Sequence, residues 1–104
     1  MGQWTAYGVC VTAPAPSTTL PSRARVVIIG GGAIGTSIAY HLAHEGITDV
    51  VLLERDRLTS GTTWHAAGLM TAFGNTSSTS TEIRMYTRDL FSRLEAETGM
   101  STGF

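Results

Sequence analysis

The chain has 104 residues, of which 42% are hydrophobic, and a formal net charge of −1. This length predicts one small domain and excludes a two-domain enzyme within these residues, while the charge gives no reason to expect nucleic acid or an anionic membrane as a partner. The single cysteine, Cys10, excludes an intramolecular disulfide and a zinc–cysteine site, and no apolar run is long enough for a transmembrane helix. A soluble domain with a small-molecule ligand is therefore expected.

Residues 1–24 are predicted to be a flexible leader without a stable element. Residues 1–22 carry no charged side chain and are interrupted by Pro14, Pro16 and Pro21. The segment lacks the basic start and the long apolar centre of a secretory signal. Its freedom from acids and its hydroxyl residues are also compatible with an organelle transit peptide, and this alternative stays open beside a plain leader.

A strand and a glycine-rich turn are predicted at residues 25–35, RVVIIGGGAIG. The β-branched run of residues 26–29 is too short for a helix and favours a parallel strand that is buried on both faces. Gly30, Gly32 and Gly35 follow at G-x-G-x-x-G spacing. The first permits a tight turn, the second lets a pyrophosphate approach the backbone, and the third lets helix and strand pack closely.

A helix is predicted directly after this turn. The amides of Ala33 and Ile34 open it, and the N-terminus of a helix favours an anion, so a dinucleotide phosphate is the expected ligand. Ile34, Ile38 and Leu42 recur every four residues, with Ala39 and Ala43 beside them, and predict one apolar stripe against the sheet. Gly46 suits the left-handed position that ends a helix.

A second buried strand, DVVLLE, is predicted over residues 49–54. It ends on Glu54, which follows Gly30 at about the 20-residue offset where a carboxylate accepts hydrogen bonds from the adenosine ribose and repels a 2′-phosphate. Strand, turn, helix, strand and acid come in the order of a Rossmann-like βαβ unit, so the predicted class is α/β with a dinucleotide site. NAD and FAD share the ADP half, and these residues do not distinguish them.

Residues 58–69, LTSGTTWHAAGL, begin with turn and capping residues and continue with small and apolar ones. Ser60 or Thr62 is predicted to cap a short helix. Taken alone, Trp64 and His65 are more readily core or surface residues than participants in chemistry.

The carboxyl-terminal third is predicted as a loop over residues 71–81 and one helix. Thr79 and Glu82 have the spacing of a capping box ahead of a helix of about 17 residues that ends near Gly99. Its arginines and acids lie mostly away from its apolar face, which is typical of an amphipathic helix.

Residues 25–104 resemble the amino-terminal part of the dimethylglycine and sarcosine dehydrogenase family, within the glycine and D-amino-acid oxidase class. Three segments carry the resemblance: VVIIGGGAIGTSIAYHLA, DVVLLERDRLTSGTTWHAAGL and RDLFSRLEAETGMSTGF. The first is shared by many flavoproteins, whereas TTWHAAGL directly downstream is specific. The resemblance implies that residues 25–104 are the amino-terminal portion of a truncated FAD/NAD(P)-binding domain that continues into further helical segments.

The resemblance also implies FAD as the cofactor, bound covalently. In the family, the histidine of the TWHAAGL motif carries FAD through a bond to the flavin 8α-methyl carbon, and the matching residue is His65. Arg55 is equally interpreted as a solvated surface charge, and Trp64 as a packing residue. The implied cofactor contacts are Gly30, Gly32, Ala33, Ile34, Gly35, Glu54, Arg55, Gly61, Thr62, Thr63, Trp64, His65, Ala66, Ala67, Gly68 and Leu69.

The related enzymes oxidise the N-methyl carbon of a small amine such as sarcosine or dimethylglycine. The imine then hydrolyses, or its one-carbon unit passes to tetrahydrofolate in a downstream domain, and an electron-transfer flavoprotein or oxygen reoxidises the flavin. The implied location is the mitochondrial matrix in a eukaryote and the cytoplasm in a bacterium. No catalytic acid or base is identified. No metal site is predicted either, because His41 and His44 lack a third ligand.

Two other functions stay open. One is an NAD-binding module, which would bind NAD and ignore FAD. The other is a non-catalytic homologue, since the pyruvate dehydrogenase phosphatase regulatory subunit resembles these dehydrogenases. That regulator is expected to lack the flavin-bearing histidine, so Trp64 and His65 favour the enzyme.

Overall fold

The computed structural model describes residues 5–8, 20–71 and 77–104, and the chain divides into two compact units, residues 1–66 and 67–104. No helix within these described ranges is both long and apolar enough to span a bilayer. The elements are β1 (Thr5–Gly8), β2 (Val26–Ile29), α1 (Ala33–His44), β3 (Val50–Glu54), a 3-10 helix (Thr62–His65) and, in the second unit, α2 (Ser78–Thr98).

The first unit is built on a parallel pair of strands. β2 and β3 pair in parallel from Val26 opposite Val50 to Ile29 opposite Leu53, and β1 adds to the other edge of β3, giving the order β1-β3-β2. Parallel neighbours need a crossover connection, which α1 supplies. The predicted α/β class and the strand–helix–strand order are confirmed. Gly46, with φ +78°, follows the helix as predicted.

Strand β1 corrects the prediction that the leader forms no stable element. Its register with β3 is antiparallel and runs from Thr5 opposite Glu54 to Gly8 opposite Val51. The open edge of β3 presents unpaired N–H and C=O groups, and Thr and Tyr, present at Thr5 and Tyr7, are favoured in strands. Four residues give too short a pattern to indicate this pairing. Residues 1–4, 9–19 and 72–76 lie outside the described residues, and with the last range most of the loop predicted over residues 71–81 stays untested.

Helix α1 covers one face of the sheet. On the opposite face, Val27 and Ile29 are 53% and 75% exposed, so the prediction that the first strand is buried on both faces is wrong. α1 is the one α-helix described in this unit, and it cannot pack on both faces of the sheet. Four buried apolar residues form the core: Ile28, Ala39, Val50 and Leu52.

The side of α1 that meets the sheet carries small residues. Gly35 and Ala39 are buried, whereas Ile34 and Ile38 are 78% and 45% exposed. A Cβ atom at Gly35 would collide with the carbonyl oxygen of Gly30, so the helix lies closer to the strand than a side chain would permit. The predicted stripe is therefore wrong at both isoleucines, because close approach, rather than hydrophobicity, selects the buried side.

Helix α2 begins earlier than predicted and ends where predicted. It has 21 residues, and Gly99 follows it in the left-handed conformation, with φ +71°. The capping box predicted from Thr79 and Glu82 does not form, because both residues already lie inside the helix. The N-cap is Ser77, whose side chain makes no capping hydrogen bond.

Candidate dinucleotide site

A cleft of about 750 Å³ opens beside the N-terminus of α1, where β2 and β3 end. Its volume lies in the range of roughly 300–1,000 Å³ that small-molecule and cofactor sites occupy. Most of the predicted cofactor contacts line it: Gly30, Gly32, Ala33, Ile34, Gly35, Glu54, Arg55, Gly61, Thr62, Thr63 and Ala66.

Three isoleucines that were not predicted as contacts also line the cleft: Ile28, Ile29 and Ile38. Together with Ile34, they give the glycine-rich cleft an apolar wall. The sequence could have indicated Ile29 as a contact, because it directly precedes the glycine turn. It could not have indicated Ile38, whose helical spacing predicted burial in the core.

The remaining predicted contacts are not among the residues that line this cleft. Trp64 and His65 lie on the 3-10 helix of the first unit, where Trp64 is 79% exposed and His65 is also exposed. Ala67, Gly68 and Leu69 belong to the second unit and are exposed. The cleft therefore provides structural evidence for a site that would bind the dinucleotide half of a cofactor, and little evidence about the flavin half.

No metal centre forms among the described residues. In that part of the chain, no group of three or more His, Cys, Asp or Glu side chains comes together. His41 instead contacts its own helix, with Nδ1 2.7 Å from the carbonyl oxygen of Ser37.

Gly31 is a fixed point of the turn that the sequence analysis missed. Its N–H donates to Oε2 of Glu54 at 2.7 Å, and its carbonyl accepts the N–H of Thr59 at 2.9 Å. A Cβ atom at Gly31 would lie 2.5 Å from Cδ2 of Leu58 and 3.2 Å from Cβ of Glu54. The available signal was the unbroken run of three glycines, in which Gly31 occupies the middle position that the G-x-G-x-x-G pattern leaves free.

The N-terminus of α1 is capped from another part of the chain. Its N-cap residue, Gly32, has no side chain, and the N–H of Ala33 donates instead to Oγ1 of Thr63 at 2.9 Å. The next two amides, of Ile34 and Gly35, have no acceptor among the described residues. Free amides at the positive end of a helix dipole favour an anion such as a phosphate.

The carboxylate of Glu54 bridges the end of β3 and the glycine turn. Oε2 accepts from Gly31, while Oε1 accepts from the N–H groups of Arg55 at 2.7 Å and Asp56 at 3.1 Å. The hydrogen bonds from Gly31 and Asp56 lower the pKa of Glu54, desolvation opposes them, and the backbone and charge of Arg55 add to the lowering. Each carboxylate oxygen has two acceptor positions, so the free one lies on Oε2.

We expect the contribution of Glu54 to stability to be lost at low pH. Because its pKa in the folded chain lies below the usual value of 4.5, this contribution is complete above that value and disappears as the pH falls through the lower folded value. Thermal unfolding, followed by circular dichroism at low protein concentration from pH 7 to pH 3, should show a stability advantage over Glu54→Gln that shrinks with acid. Glu45→Gln, at the end of α1, is the control. An advantage that is constant with pH would contradict this role.

Comparison with known proteins agrees with the site. Residues 25–104 match the family described as FAD dependent oxidoreductase, and the chain belongs to this family. It is 52% identical to human mitochondrial sarcosine dehydrogenase over 98 residues, which is 93% of this chain and 11% of that protein. It is 50% identical to mouse mitochondrial dimethylglycine dehydrogenase over 91 residues, which is 88% of this chain and 10% of that protein.

A regulator is also similar. The mouse mitochondrial pyruvate dehydrogenase phosphatase regulatory subunit is 46% identical over 93 residues, 89% of this chain and 10% of that protein. The chain thus spans about a tenth of the length of these relatives. The similarity to sarcosine and dimethylglycine dehydrogenases that the sequence motifs indicated is confirmed.

Proposed function

We propose that this chain forms the amino-terminal part of an FAD-dependent oxidoreductase that oxidises the N-methyl carbon of a small amine. In this proposal residues 25–104 are the first portion of a Rossmann-like FAD-binding domain, and residues 1–24 are its leader. The observation that carries it is the cleft at the N-terminus of α1, with free amides on one side and the Glu54 carboxylate on the other, in a chain of the FAD dependent oxidoreductase family.

The residues of the cleft fit the ADP half of FAD. The amides of Ile34 and Gly35 would donate to the pyrophosphate, which the helix dipole also favours. The free acceptor position of Glu54 would receive a ribose hydroxyl, and its negative charge disfavours a 2′-phosphate. Arg55 lines the same cleft and would lie on the adenosine side.

When bound, FAD accepts a hydride equivalent from the N-methyl carbon of the amine. We propose that His65 holds the cofactor covalently through an imidazole nitrogen. His65 would supply the nitrogen of a bond to the flavin 8α carbon, losing its N–H proton as the 8α carbon loses one hydrogen. The two electrons released would be carried by the bound flavin until an electron-transfer flavoprotein or oxygen accepted them. Trp64 and residues 66–69 would follow the cofactor towards its flavin end.

The substrate class is a small N-methylated amine of the sarcosine or dimethylglycine type. Transfer of the released one-carbon unit to tetrahydrofolate would need a further domain downstream. The mitochondrial matrix is the proposed location in a eukaryote, because the similar mammalian enzymes are named as mitochondrial. The cytoplasm is the corresponding location in a bacterium.

A regulatory function is the second candidate, since the chain is also similar to a phosphatase regulatory subunit. The two candidates differ in cofactor chemistry. The enzyme requires FAD and an amine that reduces it, whereas a regulator needs neither. The presence of His65 after Trp64 supports the enzyme.

We expect the complete protein to contain flavin that sarcosine or dimethylglycine bleaches in the absence of oxygen, and the 104-residue chain alone to turn over neither amine. The isolated chain leaves Val27 and Ile29 exposed on a sheet face, so it should also be marginally stable. Anaerobic flavin absorbance and amine turnover measure both expectations. A complete protein that binds NAD but no flavin would exclude the proposed function. Amine turnover by the 104-residue chain would exclude the proposal that this chain is only part of the enzyme.

A further inference from the structure

The hydroxyl of Thr63 caps α1 from 30 residues further along the chain. Its Oγ1 accepts the N–H of Ala33, the first residue of the helix, at 2.9 Å. A helix usually has an amide of its first turn capped by its own N-cap side chain, which accepts from the second or third residue. Here the N-cap is Gly32, so the bond joins two separate elements of the first unit.

Gly32 provides the space for this hydroxyl. A Cβ atom at position 32 would lie 2.9 Å from Oγ1 of Thr63, closer than such atoms approach in practice. The sequence assigned this glycine to the approach of a pyrophosphate. In the folded chain, the same gap also admits a side chain of the protein itself.

Thr63 also holds the turn that carries His65. Its carbonyl oxygen accepts the N–H of Ala66 at 3.1 Å, across His65, and the N–H of Trp64 donates to Gly61 at 3.2 Å. A 3-10 helix of four residues has poor internal hydrogen-bond geometry. The orientation of this turn therefore depends on its hydrogen bond to α1. The Thr63 hydroxyl makes that hydrogen bond, by accepting from Ala33.

We infer that Thr63 is a positioning residue that couples the phosphate-binding end of α1 to the placement of His65, an inference that rests on the proposed function. A hydroxyl has one donor and two acceptor positions. Thr63 can therefore accept from Ala33 and still donate its own proton to an anion at the same helix end. A pyrophosphate bound there holds Thr63, and with it the turn on which His65 lies.

Three variants of the complete protein test this coupling. Thr63→Val removes the hydroxyl and keeps the branched shape, Thr63→Ser restores the hydroxyl, and Thr87→Val is the control, because the Thr87 hydroxyl donates to Ile83 within its own helix. Covalent flavin is followed over time by mass spectrometry after acid denaturation. We expect attachment about tenfold slower in Thr63→Val, the effect of one hydrogen bond to a charged group, with near wild-type rates in the other two.

A second measurement separates positioning from general destabilisation. Hydrogen exchange is recorded with and without ADP, which carries the pyrophosphate but no flavin. ADP should protect the peptide of residues 62–66 together with the first turn of α1 in the wild-type protein, and protect only the helix in Thr63→Val. Because the wild-type arm needs no variant, protection confined to α1 there would overturn the inference even if Thr63→Val does not fold.

The outcomes distinguish this inference from the function on which it rests. Attachment at the wild-type rate in Thr63→Val, or failure of Thr63→Ser to restore it, would overturn the positioning role, as would ADP protection confined to α1 in the wild type. A wild-type protein that binds neither ADP nor FAD would overturn the proposed function itself.

Discussion

The His65→Ala variant of the complete protein should lose all covalently bound flavin and still retain FAD that dissociates on denaturation. The reason is that the imidazole nitrogen is the proposed attachment point, whereas the contacts to the dinucleotide half do not involve His65. The proposed contacts come from the amides of Ile34 and Gly35 and from Glu54, which all line the cleft. Acid denaturation followed by intact and peptide mass spectrometry measures the attached fraction.

His44→Ala is the matched control for this variant. His44 is the last residue of α1 and is exposed, and its ring centroid lies 6.1 Å from that of Tyr40, with the two rings tilted by 35°. Its removal should leave flavin attachment unchanged. The 104-residue chain, which lacks most of the flavin pocket, should carry little or no covalent flavin. Release of all flavin by the unmutated complete protein would show that attachment at His65 is wrong.

Gly35→Ala should destabilise the first unit by about 2 kcal/mol or more and abolish FAD binding. A Cβ atom there collides with the carbonyl oxygen of Gly30, a backbone atom that can move only if β2 and α1 separate. Such overpacking usually costs about 1–3 kcal/mol. Replacing glycine by alanine inside a helix recovers at most about 1 kcal/mol of helix propensity, so the collision dominates.

The control for this effect is Gly61→Ala. Position 61 has φ −86° and ψ −134°, and a Cβ atom there meets nothing within 4 Å. Its unfolding free energy should change less than that of Gly35→Ala, because the added methyl group collides with no other atom. Thermal unfolding by circular dichroism and FAD titration by flavin fluorescence measure the two variants. A Gly35→Ala protein as stable as the wild type would show that helix and strand are not in close contact there.

Several features followed from the sequence because each depends on neighbours in the chain. The β-branched run before Gly30 and the acid at Glu54 marked the two parallel strands, with their ends correct to within a residue. Glycines in the left-handed region follow both α-helices, at Gly46 and Gly99, as their positions predicted. Backbone conformations of this kind are restricted by the residue itself, so a short pattern is sufficient to indicate them.

The sequence predicted the burial of individual side chains on α1 less accurately than the backbone elements. Periodicity placed Ile34, Ile38 and Ala39 on one buried stripe. Ala39 is buried as predicted, together with Gly35, whereas both isoleucines are exposed. Hydropathy favours burial of isoleucine over glycine. However, any side chain at position 35 would collide with the backbone of Gly30, so the helix can approach the strand this closely only on the side that carries glycine. The close packing that Gly35 was predicted to permit is therefore present, and the periodicity of Ile34 and Ile38 alone did not indicate that both would be left exposed.

Tertiary structure alone decided the contacts that define the cleft. The bond from Gly31 to Glu54 spans 23 residues, the bond from Ala33 to Thr63 spans 30, and β1 pairs with a strand more than 40 residues away. In the sequence these residues are an unassigned glycine, one threonine among several, and part of an apparently featureless leader. Local preferences determine which segments become strand, turn or helix. Which hydroxyl or amide meets which partner is determined only when the folded chain brings distant segments within the roughly 3 Å of a hydrogen bond.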